Sequence, residues 1–252
     1  MTRPLCGLIV GLANNESIAF GCAKALKAMG AQLAVTYQSD KAKPHVAPLA
    51  SDLEADIFLP LDVRDEGQMQ ALFQTLGSRW GRLDFVLHSI AFAPKADLQG
   101  RFVDSSAAGF TTAMDISCHS LVRLARYSEP LMAEGGALLT MSYYGAQKVI
   151  ANYNLMGPVK AALEASVRYL AAELGPKNIR VNALSPGPVL TRAASGLAHF
   201  DQLMAQAAAK APLHQRVSID QIGEAAAFLL SDKARHITGQ VLMVDNGVSA
   251  LG

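Results

Sequence analysis

The segment SYYGAQKVIANYNLMGPVK, residues 142–160, holds two tyrosine/lysine pairs of the kind that can pass a proton or steady a negative oxygen. A phenol ionises only near pH 10, so at neutral pH it is an O–H donor, and a nearby ammonium reinforces it. Tyr144 and Lys148 are four positions apart, Tyr153 and Lys160 seven. On a helix turning about 100° per residue, these separations leave the two side chains about 40° and 20° from a common direction, so either pair could cooperate. Their surroundings differ. Tyr144 and Lys148 directly follow the apolar run ALLTMS and flank Gly145, which predicts a turn. Tyr153 and Lys160 stand at the start of a strong helical pattern. Pro158 is tolerated only in a first turn, so the regular helix is expected near Asn154 or later, with Tyr153 on its lead-in. We take Tyr153 and Lys160 as the working pair.

The elements that must position them alternate along the chain. Short runs (LCGLIV, AQLAVTY, DIFLP, LDFVLHS, ALLTMS, IRVNALS, QVLMVD) alternate with helical patterns, including 17–30, 66–81, one unbroken helix over 109–132, and VKAALEASVRYLAAEL. This predicts an α/β fold: one Rossmann-like, doubly wound domain over 1–252, with a parallel sheet and helices on both faces. The 252 residues are 51% hydrophobic and 17% charged, with net charge +1 and no basic block. A nucleic-acid partner is therefore not expected. Arg3 and the apolar run after it superficially suggest a leader, but the run is short enough for a buried strand feeding a glycine turn. No stretch approaches the roughly 20 apolar residues of a membrane span, so no membrane partner is expected. Cys6, Cys22 and Cys118 lack metal-ligand or disulfide-framework spacing, which predicts incidental thiols, no metal site and a cytoplasmic location.

The first strand runs into GLANNESIAFG, residues 11–21, where glycine lets backbone amides approach a pyrophosphate at the positive end of the next helix. Gly11 and Gly21 are the candidates, although the spacing is not GxGxxG. Asp62 and Val63 end the third strand segment, where a carboxylate can accept from an adenine amino group. Ser89, Ile90 and Ala91 end the fourth, where small groups let a ribose and nicotinamide lie close. After strand two, Tyr37 and Gln38 stand where an acid often holds the ribose 2′-hydroxyl, or an arginine the 2′-phosphate. With neither present, NADH is favoured as the cofactor, and Lys41 and Lys43 leave NADPH open.

The pattern SxxxxxxxxxxYxxMGxxK with its neighbouring SY, together with GLANNESIAFG, DV, HSIAFAP and SPGPVLTRAASG, resembles the bacterial enoyl-acyl-carrier-protein reductases, a divergent branch of the short-chain dehydrogenase/reductase superfamily. The resemblance covers essentially the whole chain. It implies NAD(P)H-dependent reduction of the carbon–carbon double bond of trans-2-enoyl thioesters in fatty acid biosynthesis. Tyr153 is then the catalytic tyrosine, Tyr143 the upstream tyrosine shaping the acyl channel, and Lys160 the cofactor-holding lysine, while Tyr144 and Lys148 are a decoy. It further implies cofactor contacts from Ser17, Ile18, Gly187, Val189 and Thr191, a substrate wall including Ala93 and Met156, and a homotetramer.

Residues 190–212 are expected to form a substrate flap, where Leu197, Phe200, Leu203 and Met204 have helical spacing and could cover an acyl chain or simply face the core. Members of the family carry basic residues on this helix for the acidic carrier protein. Ala198, His199, Asp201 and Gln202 stand here instead, which weakens that dock or shifts it toward Arg192, Lys210, His214 and Arg216. Two alternatives stay open: a carbonyl/hydroxyl oxidoreductase of the same fold using Tyr144 and Lys148, and a non-catalytic dinucleotide sensor.

Overall fold

Strands buried on both faces must be mostly apolar, and the strands of this chain are, with single polar residues such as Thr36, His88, Thr140 and Asn182 among them. The structure, a computed structural model, describes residues 3–191 and 200–251, without the side chains of Phe200 and Asp201. Its first half runs β1 (Cys6–Val10), α1 (Ile18–Ala28), β2 (Gln32–Tyr37), α2 (Lys43–Asp52), β3 (Ile57–Pro60), α3 (Glu66–Trp80) and β4 (Phe85–His88). Then come α4 (Lys95–Leu98), α5 (Ala107–Met114), α6 (Ser120–Ser128), β5 (Gly136–Met141), α7 (Met156–Leu174), β6 (Ile179–Pro186), α8 (Phe200–Lys210), α9 (Ile219–Leu230) and β7 (Val241–Val244).

The described strands form one parallel sheet in the order β3-β2-β1-β4-β5-β6-β7. Successive side chains point to opposite faces, and the core divides accordingly. Leu8, Val86, Leu138 and Val181 pack with α3, α6 and α7 on one face. Ile9, Leu87, Leu139 and Leu184 pack with α1, α2 and α9 on the other. The doubly wound α/β expectation therefore holds. Winding reverses between β1 and β4, which opens a crevice at the carboxyl ends of those strands, the place where such sheets take ligands.

Two expectations need correction. Gly21 does not serve a phosphate turn: a Cβ there would lie 2.1 Å from the Ile219 carbonyl oxygen, and one at Gly223 would lie 2.3 Å from the Gly21 carbonyl oxygen. The two glycines let α1 and α9 cross backbone to backbone. The helix expected over 109–132 is broken by a π-helical turn at Asp115–His119 between α5 and α6. Tertiary bonds hold that turn. Ser117 Oγ accepts from the Phe92 N–H at 2.8 Å and donates to the Phe92 carbonyl at 2.9 Å, while Arg123 pairs with Asp115.

Gly21→Val should therefore drive a side chain into the α9 backbone and lower the melting temperature by about 5–10 °C, the scale of a 2–3 kcal/mol overpacking cost in a chain this long. Gly77→Ala, inside α3, places its Cβ at an ordinary 3.5 Å from Leu131 and should leave the midpoint level or raised. Thermal denaturation of both variants checks the crossing, and an unchanged midpoint for Gly21→Val would remove it.

Candidate active site

Gly11 begins the crevice. Its φ of +104° is a conformation that side chains rarely adopt, and a Cβ would lie 2.0 Å from the Ser89 carbonyl oxygen, so the end of β1 rests directly on the end of β4. Ser17, the residue before α1, turns its hydroxyl away from the helix. Its Oγ accepts from the N–H groups of Ala13 and Asn14, at 3.1 and 2.9 Å, and donates to Asn14 Oδ1 at 3.0 Å. No side chain caps α1, so its first N–H groups face the crevice with the positive end of the helix dipole.

From there a cleft of about 210 Å³ runs past Ser89, Ile90, Ala91 and Ala93 to Tyr143, Tyr153, Met156 and Lys160. Gly187, Val189 and Thr191 close it from the end of β6. The expected residues Gly11, Ser17 and Ile18 share the same wall. Gln38, Asp62 and Val63 do not. They follow β2 and β3, on the far side of β1 from β4. Gln38 is exposed, and Val63 is part of the core. The Asp62 carboxylate, expected to accept from an adenine amino group, also takes bonds of 3.1 and 2.8 Å from Arg64, which hold its pKa below the usual carboxylate range. Leu197 and the side chain of Phe200, like Arg192, Ala198, His199 and the side chain of Asp201, lie outside what the structure describes. Within α8, Met204 is buried and Leu203 half-buried.

The two tyrosine/lysine pairs separate clearly. Tyr144 and Lys148 sit on and just after a 3-10 turn, with Lys148 exposed, and neither lines the cleft. Tyr153 lies in a turn before α7, as expected, so the turn and not a common helical face sets its approach to Lys160. Left-handed Asn152 (φ +63°) and Asn154 (φ +40°) flank it. Asn154 Nδ2 donates to the carbonyls of Leu98 and Gly100, at 3.0 and 2.8 Å, which ties the tyrosine turn to the segment that brings Leu98 into the wall. The Tyr143 and Tyr153 rings meet edge to face, with centroids 4.7 Å apart. Gly145 makes the room, since a Cβ there would lie 2.4 Å from the Tyr153 ring.

Electrostatics keep both phenols protonated. Burial raises the Tyr143 pKa to about 12. Burial, then Tyr143, then Glu164 raise that of Tyr153 well above the ordinary value. Lys160 is buried, donates from Nζ to the Met141 carbonyl at 2.6 Å, and is lowered by desolvation to about 8. His88 lies at the end of β4, with Nδ1 2.7 Å from Thr140 Oγ1 and Nε2 2.8 Å from Ser120 Oγ. Because Ser120 spends its proton on the Ile116 carbonyl, His88 carries its hydrogen on Nε2. Desolvation and then Lys160 depress its pKa to about 3, so it stays neutral.

Sequence reasoning missed several wall residues: Ala13, Phe92, Leu98, Met141, Ser142 and Pro188. Phe92 lies in a loop and Leu98 in the single turn of α4, too short for periodicity to offer a signal. Ser142 is adjacent to Tyr143 and could have been inferred from that neighbour.

A cleft that joins an uncapped helix start to two neutral phenols and a buried ammonium can hold a dinucleotide along one wall and present O–H donors to an oxyanion on the other. The sequence profile described as Enoyl-(Acyl carrier protein) reductase matches residues 11–249. Enoyl-[acyl-carrier-protein] reductase [NADH] 1 of Rhizobium meliloti (strain 1021) is 48% identical over 246 residues, covering 98% of this chain and 90% of that one. An enoyl-(acyl-carrier-protein) reductase of Anaplasma phagocytophilum, solved in complex with NAD, superposes with a TM-score of 0.95 at 47% identity, over 98% of this chain and 95% of that one. The Bacillus cereus enoyl-acyl carrier protein reductase, solved with NADP+ and indole naphthyridinone, gives 0.96 at 42% identity, over 98% and 97%. The profile spans nearly the whole chain and the relatives match it end to end: the chain belongs to the enoyl-(acyl carrier protein) reductase family.

Proposed function

We propose that this chain is an NADH-dependent enoyl-acyl-carrier-protein reductase that saturates the carbon–carbon double bond of trans-2-enoyl thioesters in fatty acid biosynthesis. The observation that carries this reading is the convergence of Tyr143, Tyr153 and Lys160 on one largely apolar cleft. A nicotinamide dinucleotide, when bound, supplies the hydride. Gly11, Ser17, Ile18, Ser89, Ile90, Ala91, Gly187, Val189 and Thr191 are the residues that would hold it along the crevice, with Gln38, Asp62 and Val63 at its adenosine end. The fit rests on Gly11, whose missing side chain opens the approach to Ser89, and on the uncapped start of α1.

Reduction at C3 of an enoyl thioester drives negative charge onto the thioester carbonyl oxygen. Tyr153 donates its phenolic hydrogen bond to that oxygen, and its raised pKa keeps the donor neutral until it is needed. Lys160 holds ribose hydroxyls and keeps positive charge behind the phenol. Tyr143 packs across Tyr153 and, with Ala93 and Met156, walls the acyl channel. Residues 190–212, with Leu197 and Phe200, act as the substrate flap. The carbonyl-reductase alternative would rely on Tyr144 and Lys148, which stand off the cleft, and a pure sensor would have no use for paired phenols.

An acyl carrier protein is the proposed donor of substrate, in the cytoplasm. The buried, unpaired thiols of Cys6, Cys22 and Cys118 support that compartment. Among the described residues no helix is long and apolar enough to cross a membrane. Exposed Tyr169 on α7, Phe228 on α9 and Leu242 on the edge strand β7 support a homotetramer that would cover them. The deciding experiment follows nicotinamide absorbance with the purified protein, NADH or NADPH, and crotonyl, octenoyl or dodecenoyl thioesters on CoA and carrier protein. Consumption that depends on the enoyl thioester is expected, with kcat/KM higher for NADH.

Tyr153→Phe removes only the oxyanion donor, so kcat should fall about 10²- to 10³-fold while NADH affinity stays within about twofold. Tyr144→Phe should change kcat by less than about threefold. The reverse pattern would hand the chemistry to the other pair.

Gln38→Arg should raise the ratio of NADPH to NADH kcat/KM by about tenfold or more, because a guanidinium can grip a 2′-phosphate. A wild-type enzyme that prefers NADPH would move the phosphate contact to Lys41 or Lys43. Initial rates with both cofactors decide the matter.

A further inference from the structure

Lys160 and Glu164 lie one turn apart on the buried face of α7, among Val159, Leu163 and Val167. A carboxylate in a core is costly unless a charge or hydrogen bonds compensate it, and the reductase reading gives Glu164 no task. Its contacts are specific. Glu164 Oε1 accepts from Ser142 Oγ at 2.6 Å, and Oε2 accepts from Gln147 Nε2 at 3.4 Å. Lys160 Nζ donates to the carbonyl of Met141, the residue before Ser142. Among the described residues the two charges form no direct ion pair. They meet across two consecutive residues at the end of β5, immediately before Tyr143, so α7 grips the strand at two points, one cationic and one anionic.

We propose that Glu164 is a positioning residue for the reduction: it is the counter-charge that holds Lys160 as an ammonium and, through Ser142 and Gln147, the anchor that fixes the turn carrying Tyr143. The idea rests on the reductase reading for its kinetic consequence and on geometry alone for its structural one. Glu164 also acts on Tyr153, whose phenol its charge helps to keep protonated. Other titratable groups also face Lys160 from the surrounding elements. From β4 there is neutral His88, held by Thr140 and Ser120. From the π-helical turn there is Cys118, with Sγ 3.5 Å from Ser166 Oγ. From the turn after β5 and the turn before α7 come the neutral phenols of Tyr143 and Tyr153. Desolvation pulls the Lys160 pKa down to about 8 while Cys118 and then Glu164 pull it upward, and Glu164 is the carboxylate among these groups.

The sign follows directly. A lysine that must be charged to serve the site loses its function as pH rises through its folded-state pKa, so the wild-type kcat/KM profile for NADH should have an alkaline limb near pH 8. Glu164→Gln keeps the size and can still accept from Ser142, but it removes the charge. That limb should move toward acid by about one unit, so the ratio of kcat/KM at pH 6.5 to that at pH 8.5 grows about sixfold. Glu164→Asp, which restores the charge, should bring the limb back toward the wild-type position. Gln147→Ala, which removes one hydrogen bond and leaves the carboxylate, should not move it. A uniform loss of rate at all pH values with the limb unmoved would overturn the counter-charge role.

Stability gives a readout independent of turnover. Glu164→Gln removes the counter-charge from a buried ammonium and should lower the melting temperature, and adding Lys160→Met should restore part of what was lost. If Glu164→Gln does not fold, a folded double variant carries the same meaning. Additive losses, or a double variant that also fails to fold, would overturn the pairing. If the wild-type protein does not reduce enoyl thioesters while the stability cycle still shows coupling, the functional reading fails and the pairing stands.

Discussion

The arrangement depends on burying one ammonium. Lys160 carries a flexible stem and a charge into a largely apolar core, and an uncompensated cation there would lose its proton or unfold its surroundings. The end of β5 resolves the conflict. Pairing of β5 with β4 stops at Thr140 opposite His88, so the strand extends one residue further than that neighbour, and the carbonyl of Met141 accepts from Nζ. A parallel sheet sends all its strand ends to one edge, so the place that can satisfy a buried cation is also the place where the crevice opens. The fold thus supplies the cleft and the means of keeping a charge in it from the same geometric source.

The sheet was readable because strands buried on both faces must be mostly apolar; LCGLIV and ALLTMS could hardly be anything else in a soluble chain. The different settings of Tyr153 and Tyr144 were readable too, through Gly145 just after ALLTMS and the helical pattern that begins near Tyr153. The broken helix at 115–119 was not. Its sequence is compatible with ordinary helix, and the π-helical turn follows from bonds to Phe92 and within the Asp115/Arg123 pair that no local pattern announces. Gly21 misled for a related reason: a glycine beside a phosphate turn and a glycine at a helix crossing look alike until the second helix is present. The pairing of Asp62 with Arg64, two residues on, was not signalled by the strand pattern. Lys160 and Glu164 both fall on the apolar face of α7, Lys160 four residues after Met156 and three before Leu163, Glu164 three before Val167 and seven before Ala171, so the periodicity did contain a signal that two charges would be buried.

The spacing that distinguishes the working pair acquires its meaning from the turn before α7. A tyrosine four residues before its lysine would ride on the helix and take its orientation from the helix axis. Seven residues move Tyr153 off the helix, into a turn that two left-handed asparagines shape and that Asn154 ties to the segment bearing Leu98. The phenol can then lie against Tyr143, in space that Gly145 leaves empty. Each ring takes water from around the other, which raises both pKa values and keeps both donors neutral. The longer spacing therefore lengthens the reach from helix to phenol and makes room for a second tyrosine, so that one hydrogen-bond donor faces the cleft with an aromatic wall behind it. That combination suits a substrate whose reacting end is a polar carbonyl and whose remainder is a hydrocarbon chain.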